Sequence, residues 1–542
     1  MSKVYINKRS YHSGIKLLAI VFAAVFFLTG CAARTKKYVD KEVYKILQRK
    51  TKEVTSDKII WDIDAQKKQK ALAETVPLTL KDALIIAAKN NRDYQTAKED
   101  VYLQTLSLIS RRHDYHLRYG VGGSVTWSAD EETKDISADL NLDLIQWLAQ
   151  GTQISLNVVE EYSQDLLDED SIENFQTIVG LDILQPLFRG AGRSVAQANL
   201  IQAERDVIYQ IRSFLRYQRN FSVTVADKYY TLLQTKNSLE NYYTNYTYLK
   251  QTAGRIEMLS EAGRATPMDV DQTRQDEYRA QQNWLSANND YQRLLDEFKI
   301  FLGMSPDINI AIEEGGLEHI LDSGISEIKV DPTDSIELAL EKRLDLLTVR
   351  DRLKDSVRDA DIALNALKTQ LDLRLGVEMS SPIEQNKPSF DFEKPTYTAG
   401  LDWELPVNKV QEKSVYSQAL VNLERARRDV KNTEDSIKLG ILNLYRNLEE
   451  SYQSYLIQQK SLELAQKRVE GTDLLLQAGR ATTRDLLEAQ ESYLNAKNSL
   501  SSAIVNYLVY YLEFLRDTET LEVDEQGVWK GDLYEKISGA NN

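Results

Sequence analysis

Cysteine occurs once in the 542 residues and proline 9 times, and after the first thirty positions no stretch approaches the ~20 apolar residues of a membrane-spanning helix. A single cysteine excludes disulfides and thiol pairs within the chain. With so little proline and only 23 glycines, few positions force a helix to stop, so the elements are long. If the mature chain crosses a membrane, it must do so with strands. Histidine is nearly absent too, at 4 residues, and no nucleophile motif accompanies it, which leaves no basis for an enzyme or a cofactor. What is abundant is acid: the net charge of -15 makes nucleic acid an unsuitable partner.

The first thirty residues read as a signal peptide. Lys3, Lys8, Arg9 and Lys16 form a basic start, and Leu17 to Phe27 an apolar run of about a dozen residues. Leu28-Thr29-Gly30-Cys31 then has the pattern of a lipobox, whose cysteine becomes a lipidated N-terminus after cleavage. The expected chemistry of Cys31 is therefore anchoring, through palmitate. Ala32 stands where an Asp would signal retention, so by resemblance the lipoprotein is sorted to the outer membrane. Cleavage removes four positive charges and no acid, taking the mature charge to about -19.

An internal repeat organises the rest. Ala-Gly-Arg-Ala-Thr occupies both 262–266 and 478–482, an offset of 216 at which Asp269 matches Asp485, Tyr229 matches Tyr445 and Leu232 matches Leu448. Gly180-Leu181-Asp182 with Pro186 matches Gly400-Leu401-Asp402 with Pro406, and Asn91-Arg92-Asp93 matches Arg343-Leu344-Asp345 more weakly. The anchors keep their order, and their spacing gives repeat one about 32 extra residues ahead of Gly180. Alternation of Ile136, Ala138, Leu140, Leu142 and Leu144, and of Ile154, Leu156 and Val158 around Gly151, predicts an additional β-hairpin within 131–163.

Downstream of each repeated pentapeptide, apolar residues recur at spacings of three and four. Leu486, Ala489, Tyr493, Ala496, Leu500, Ala503, Tyr507, Tyr510 and Phe514 form one heptad seam; Val270, Thr273, Glu277, Ala280, Trp284, Ala287, Tyr291, Leu294 and Phe298 form the other, with Glu277 its defect. Long proline-free stretches at 193–262 and 412–478 predict rods of about 100 Å. Shorter helices (80–117 with 266–302, 335–369 with 482–516) would stack beside them. Strand candidates at 119–127, 176–186, 371–379 and 396–406 have the length of membrane β-strands, yet four to six strands cannot close a barrel. The chain must oligomerise if these strands lie in a membrane.

This order of elements, with Gln185-Pro186-Leu187-Phe188-Arg189-Gly190 leading into a helix and two Gly-x-x-Thr-x-x-Asp turns, resembles the TolC family of outer membrane factors over nearly the whole mature chain. The resemblance implies a mainly α fold with a β-barrel part: a trimeric channel-tunnel, twelve-stranded in its simplest form, acting with a periplasmic adaptor and an inner-membrane transporter in efflux or type I secretion. It divides the chain into 1–30 (signal), 31–76 (anchor and equatorial segment), 77–303 (repeat one), 304–334 (equatorial linker), 335–516 (repeat two) and 517–542 (tail). The turns around Gly263, Arg264 and Thr266, and around Gly479, Arg480 and Thr482, become the adaptor-docking tips. Asp485 and Glu488, with Asp269 opposite, become the aperture gate, where rings of carboxylates favour cations. The gating partners the family would need fall on Leu476 and Ala481, which cannot form a charged lock, leaving Arg480 or Arg484 as substitutes.

Other signals carry less. Gly190-Ala191-Gly192 lacks the third glycine of a dinucleotide loop. His113 and His116 are an i, i+3 pair without further ligands, so no metal is expected. The acidic run at 165–170 lacks the spacing of a calcium loop. Two competing classes remain: a periplasmic adaptor lipoprotein, which would carry one hairpin rather than two, and a structural coiled-coil lipoprotein, which would need no strands.

Overall fold

A computed structural model describes residues 32–55, 77–129, 134–165, 173–313, 330–385, 387–405, 407–524 and 526–530, with scattered positions near 60 and between 317 and 327. The signal segment and Cys31 lie outside the described residues. The chain opens with α1 (Ala32–Val54), a two-residue strand β1 (Pro77–Leu78) and two helices, α2 (Leu80–Asn90) and α3 (Arg92–His113). Strands β2 (Arg118–Ala129), β3 (Lys134–Trp147), β4 (Gln153–Asp165) and β5 (Asn174–Pro186) follow. A short α4 (Arg193–Ala196) leads into the 64-residue α5 (Ala198–Glu261), which turns into α6 (Pro267–Phe301).

Repeat two begins beyond β6 (Ala311–Ile312), with α7 (Pro332–Lys342) and α8 (Leu344–Ala366). Then come β7 (Gln370–Ser380), β8 (Glu384–Gln385) and β9 (Thr396–Glu404), the 68-residue α9 (Val410–Gln477) and α10 (Thr483–Asp517). At 1.5 Å per residue α5 and α9 are rods of about 96 and 102 Å. None of the described helices is long and apolar enough to cross a membrane.

Where the sequence predicts single helices over 80–117 and 335–369, each is broken. Asn91 and Arg343 leave helical geometry with ψ 129° and 118°. The Asn91 side chain caps α3 by accepting from the Tyr94 amide at 2.9 Å, and donates to the Phe301 carbonyl at 2.7 Å. The weakest sequence anchor thus marks the same kink in both repeats.

The strands form one antiparallel sheet in the order β2-β3-β4-β5-β7-β9, with β8 added beside β5. That is six full strands, against the four of the simplest family pattern, because β3 and β4 occupy the predicted insertion. Period-two alternation sorts their side chains. A row running through all six strands reads Tyr119, Leu144, Leu156, Leu181, Val377, Tyr397; the adjacent row, on the other face, reads Gly120, Asp143, Asn157, Gly180, Glu378, Thr396.

The largest core surrounds the middle of α5. Phe214 and Phe221 meet Tyr94, and Trp61 packs on Phe214 at 5.1 Å. β1 pairs with β6 beside it. The C-terminal segment returns to the same place: Glu519, with a left-handed φ of 59°, buries its carboxylate between Arg216 (2.9 Å) and Arg219. Removing that carboxylate from water is offset by two guanidinium partners, one on each carboxylate oxygen. Nearer the sheet, Arg205 and Arg212 of α5 reach Asp355 and Asp351 of α8 at 2.5 and 2.7 Å, joining the repeats.

Candidate functional site: the paired hairpin tips

The two long helices end at the same side of the molecule, farthest from the sheet, and the sequence dictates how. At 262–263 and 478–479 a helix must stop and reverse, which needs a left-handed residue. Gly263 (φ +72°) and Gly479 (φ +69°) supply it. The next amides close the turn: Arg264 N donates to Leu259 O and Arg480 N to Leu475 O, both at 2.8 Å. Two residues on, Thr266 and Thr482 are N-caps of α6 and α10.

Asp269 and Asp485 complete reciprocal capping boxes. The Thr266 and Thr482 amides donate to the Oδ2 atoms of these aspartates at 2.9 and 2.8 Å, and each aspartate amide donates to the threonine hydroxyl at 3.2 Å. The Thr482 hydroxyl, then its amide, hold the Asp485 carboxyl below its ordinary value. Arg264, Arg480, Thr266 and Thr482 are all exposed. Glu488 is exposed one turn into α10 and pairs with Arg484 at 3.1 Å. Arg484 thus pairs within its own helix. Beside this pair, Arg279 and Asp276 of α6 and Glu491 of α10 line a polar cleft of about 370 Å³ between the hairpins.

Near the tips Leu487 of α10 packs with Leu249 and Ala280 of the first hairpin, and an ion pair adds a charged tie. Arg255, near the end of α5, donates to Asp473, near the end of α9, at 2.7 Å. In repeat one, the position matching Asp473 is Glu257, and it stays within its own hairpin. Arg274 of α6 donates to Glu257 at 2.6 Å and to the buried Glu277 at 2.8 Å. The seam defect at Glu277 is thus a satisfied charge on which Arg274 folds back.

No family model matches the chain. Outer membrane protein TolC of Escherichia coli (strain K12) is 23% identical over 402 residues, covering 68% of this chain and 74% of that protein. The chain is TolC-like in fold. Among solved structures, CusC aligns with a TM-score of 0.61 at 14% identity, over 84% of this chain and 95% of its own. The CmeC outer membrane channel of Campylobacter jejuni aligns at 0.57 and 13%, over 89% and 94%. The open state of the MtrE outer membrane channel of Neisseria gonorrhoeae aligns at 0.59 and 12%, over 81% and 88%. The TolC-like fold therefore accounts for both repeats.

In this fold the predicted tip residues come together on two adjacent, nearly identical turns. Asp269, Asp485 and Glu488 lie just behind them. Sequence reasoning missed Arg255 and Asp473, whose partners are 218 positions apart in sequence. The local signal was a charge near the end of each of two matched helices. Among the described residues, no three His, Cys, Asp or Glu side chains gather as a metal site requires.

Proposed function

We propose that this protein is the outer-membrane channel-tunnel of a tripartite efflux system, one of three identical copies, receiving substrate at the hairpin tips from a periplasmic adaptor and an inner-membrane transporter. The observation that carries this reading is the coupling of a sheet that is apolar on one face and polar on the other to two rods of about 100 Å. A six-stranded sheet with open edges is incomplete in lipid, and three copies complete it. The exposed capped turns offer a rigid, solvent-facing end suited to docking another hairpin. Asp485 and Glu488, with Asp269, form the aperture in this reading, and the Arg255 to Asp473 pair supports a closed resting state in which each copy's second hairpin is held against its first. Acylation of Cys31 tethers the assembly to the outer membrane.

The test is reconstitution of the full-length protein from outer-membrane extracts. Trimer bands that dissociate on heating, and discrete conductance steps in planar bilayers, are expected; a monomer without conductance overturns the reading. Replacing Asp485 and Glu488 together by Ala is expected to raise conductance or relax block by trivalent cations, and unchanged currents would remove the gate assignment. Labelled palmitate is expected in the parent protein and absent from Cys31→Ser.

A further inference from the structure

The sheet contains two strands that the simplest form of this architecture does not require, and their setting says what they do. If β3 and β4 were an external flap, β2 would pair directly with β5, and the turn joining β3 to β4 would point away from the helices. Neither is so. β2 pairs with β3 along twelve residues and β5 with β4 along eleven, and the sheet order keeps β2 and β5 apart.

The turn at 148–152 is docked at the helical end of the sheet. Gly192 N donates to Gln150 O at 3.2 Å, and the Thr152 hydroxyl meets the Gln185 side chain. Gly151, at φ +95°, leaves no room for a side chain: a Cβ there would stand 3.0 Å from Gly190 O and 3.1 Å from the Pro186 ring. Asn157 of β4 occupies the space that a Cβ on Gly180 would take, whereas the matching Gly400 in repeat two has open space. The glycine of repeat one makes room for the inserted strand.

Resting on the trimeric channel reading above, we propose that the β3–β4 hairpin is part of the membrane wall, so that three copies close an eighteen-stranded barrel with Asp143 and Asn157 on its lumen. Strand parity fits. The six strands alternate in direction, so β9 of one copy and β2 of the next run antiparallel, and the total is even, as closed barrels of this kind require. Both edges lie at membrane depth, because Tyr119 and Val121 on β2 and Tyr397, Leu401 and Trp403 on β9 are exposed on the apolar face. With strands about 4.8 Å apart and tilted by about 40°, eighteen strands give a barrel about 35 Å across, against about 24 Å for twelve. The inserted strands also bring acid to the inner face: Asp135, Asp139 and Asp143 of β3 and Glu161 of β4 alternate with the apolar residues.

The test uses the full-length trimer in planar bilayers. In Asp143→Cys, a cationic methanethiosulfonate reagent is expected to lower the current in three discrete steps, one per copy. The same reagent is expected to leave Leu142→Cys and the parent protein unchanged. Asn157→Cys, in the same row on β4, provides a second variant with the same expected steps. Unchanged currents in both lumen variants, with the parent conducting, overturn the wall assignment and leave the channel reading intact. If the parent forms no channel, it is the channel reading that fails. Electron microscopy of the unmodified trimer reads the same question directly: eighteen strands support the proposal and twelve overturn it.

Discussion

The two hairpin tips are alike in backbone and different in what restrains them. Both use a left-handed glycine, a threonine cap and an aspartate box, so both turns are equally well defined. Behind the turn they diverge. Repeat one closes on itself, with Arg274 bridging Glu257 and Glu277, and with Tyr246 stacked on Trp284 at 5.8 Å. In repeat two the position matching Arg274 is Gln490, and those matching the aromatic pair are Leu462 and Leu500. Its acid, Asp473, reaches across to Arg255 instead. Toward the sheet, Arg205, Arg212 and Arg216 all bind repeat two, through Asp355, Asp351 and Asp345; toward the tips, Arg255 does so. Between these ends Gln234, Asn237 and Asn241 of α5 hydrogen-bond Ser502, Ser501 and Asn498 of α10, so the second hairpin lies along the first, and the Arg255 to Asp473 pair is the latch nearest its tip.

The largest effect that sharpens this comparison lies in the seams. Tyr507 is fully buried and its counterpart Tyr291 is half-buried. Tyr507→Ala is expected to cost about 3–5 kcal/mol and Tyr291→Ala about half that, read as loss of thermal stability by circular dichroism. Equal losses would mean that the two hairpins pack alike. Next, Gly263→Ala and Gly479→Ala each force a side chain into left-handed geometry and are expected to cost about 1–2 kcal/mol, equally in both tips. Unequal costs, measured by amide exchange at the turns, would break the claim that the turns are equivalent.

Much of this was legible beforehand, for physical reasons. The repeat announces itself because capped glycine turns admit few residue types. The seams are visible because buried positions recur with the helical period. The inserted hairpin shows as alternation and as a changed anchor spacing. The kinks at Asn91 and Arg343 were misread as continuous helix, since a residue can leave helical geometry there without glycine or proline. The latch was invisible: Arg255 and Asp473 each look like ordinary surface charges until two helices from different repeats lie side by side.

Breaking the latch gives a smaller effect. The pair is about one-third exposed, so it contributes ~1 kcal/mol at most, or about a fivefold change in the opening equilibrium per copy. Arg255→Ala is expected to raise open probability in bilayers by several-fold, the swapped pair Arg255→Asp with Asp473→Arg to restore it, and Arg274→Ala to leave it near the parent value. Opening by Arg274→Ala instead would reverse the roles of the hairpins.

The smallest effect concerns acid. The Asp485 carboxyl is held below 3.8, so its cap stabilises the second tip fully above that pH and fades as pH falls through the lowered value. Protection of the 485 and 486 amides is expected to drop there in the parent and to be pH-independent in Asp485→Asn.

The unpaired edges of the sheet bear on how the protein reaches its membrane. A lone copy would bring the free backbone groups of β2 and β9 into hydrocarbon, each an energetic barrier of several kcal/mol. If three copies form the channel, as proposed above, insertion and association are one event, and a single defective copy poisons the two sound ones it joins. In a cell expressing equal amounts of parent and edge-damaged chains that mix at random, only about one-eighth of the trimers would consist of parent copies alone. Such variants are expected to be dominant.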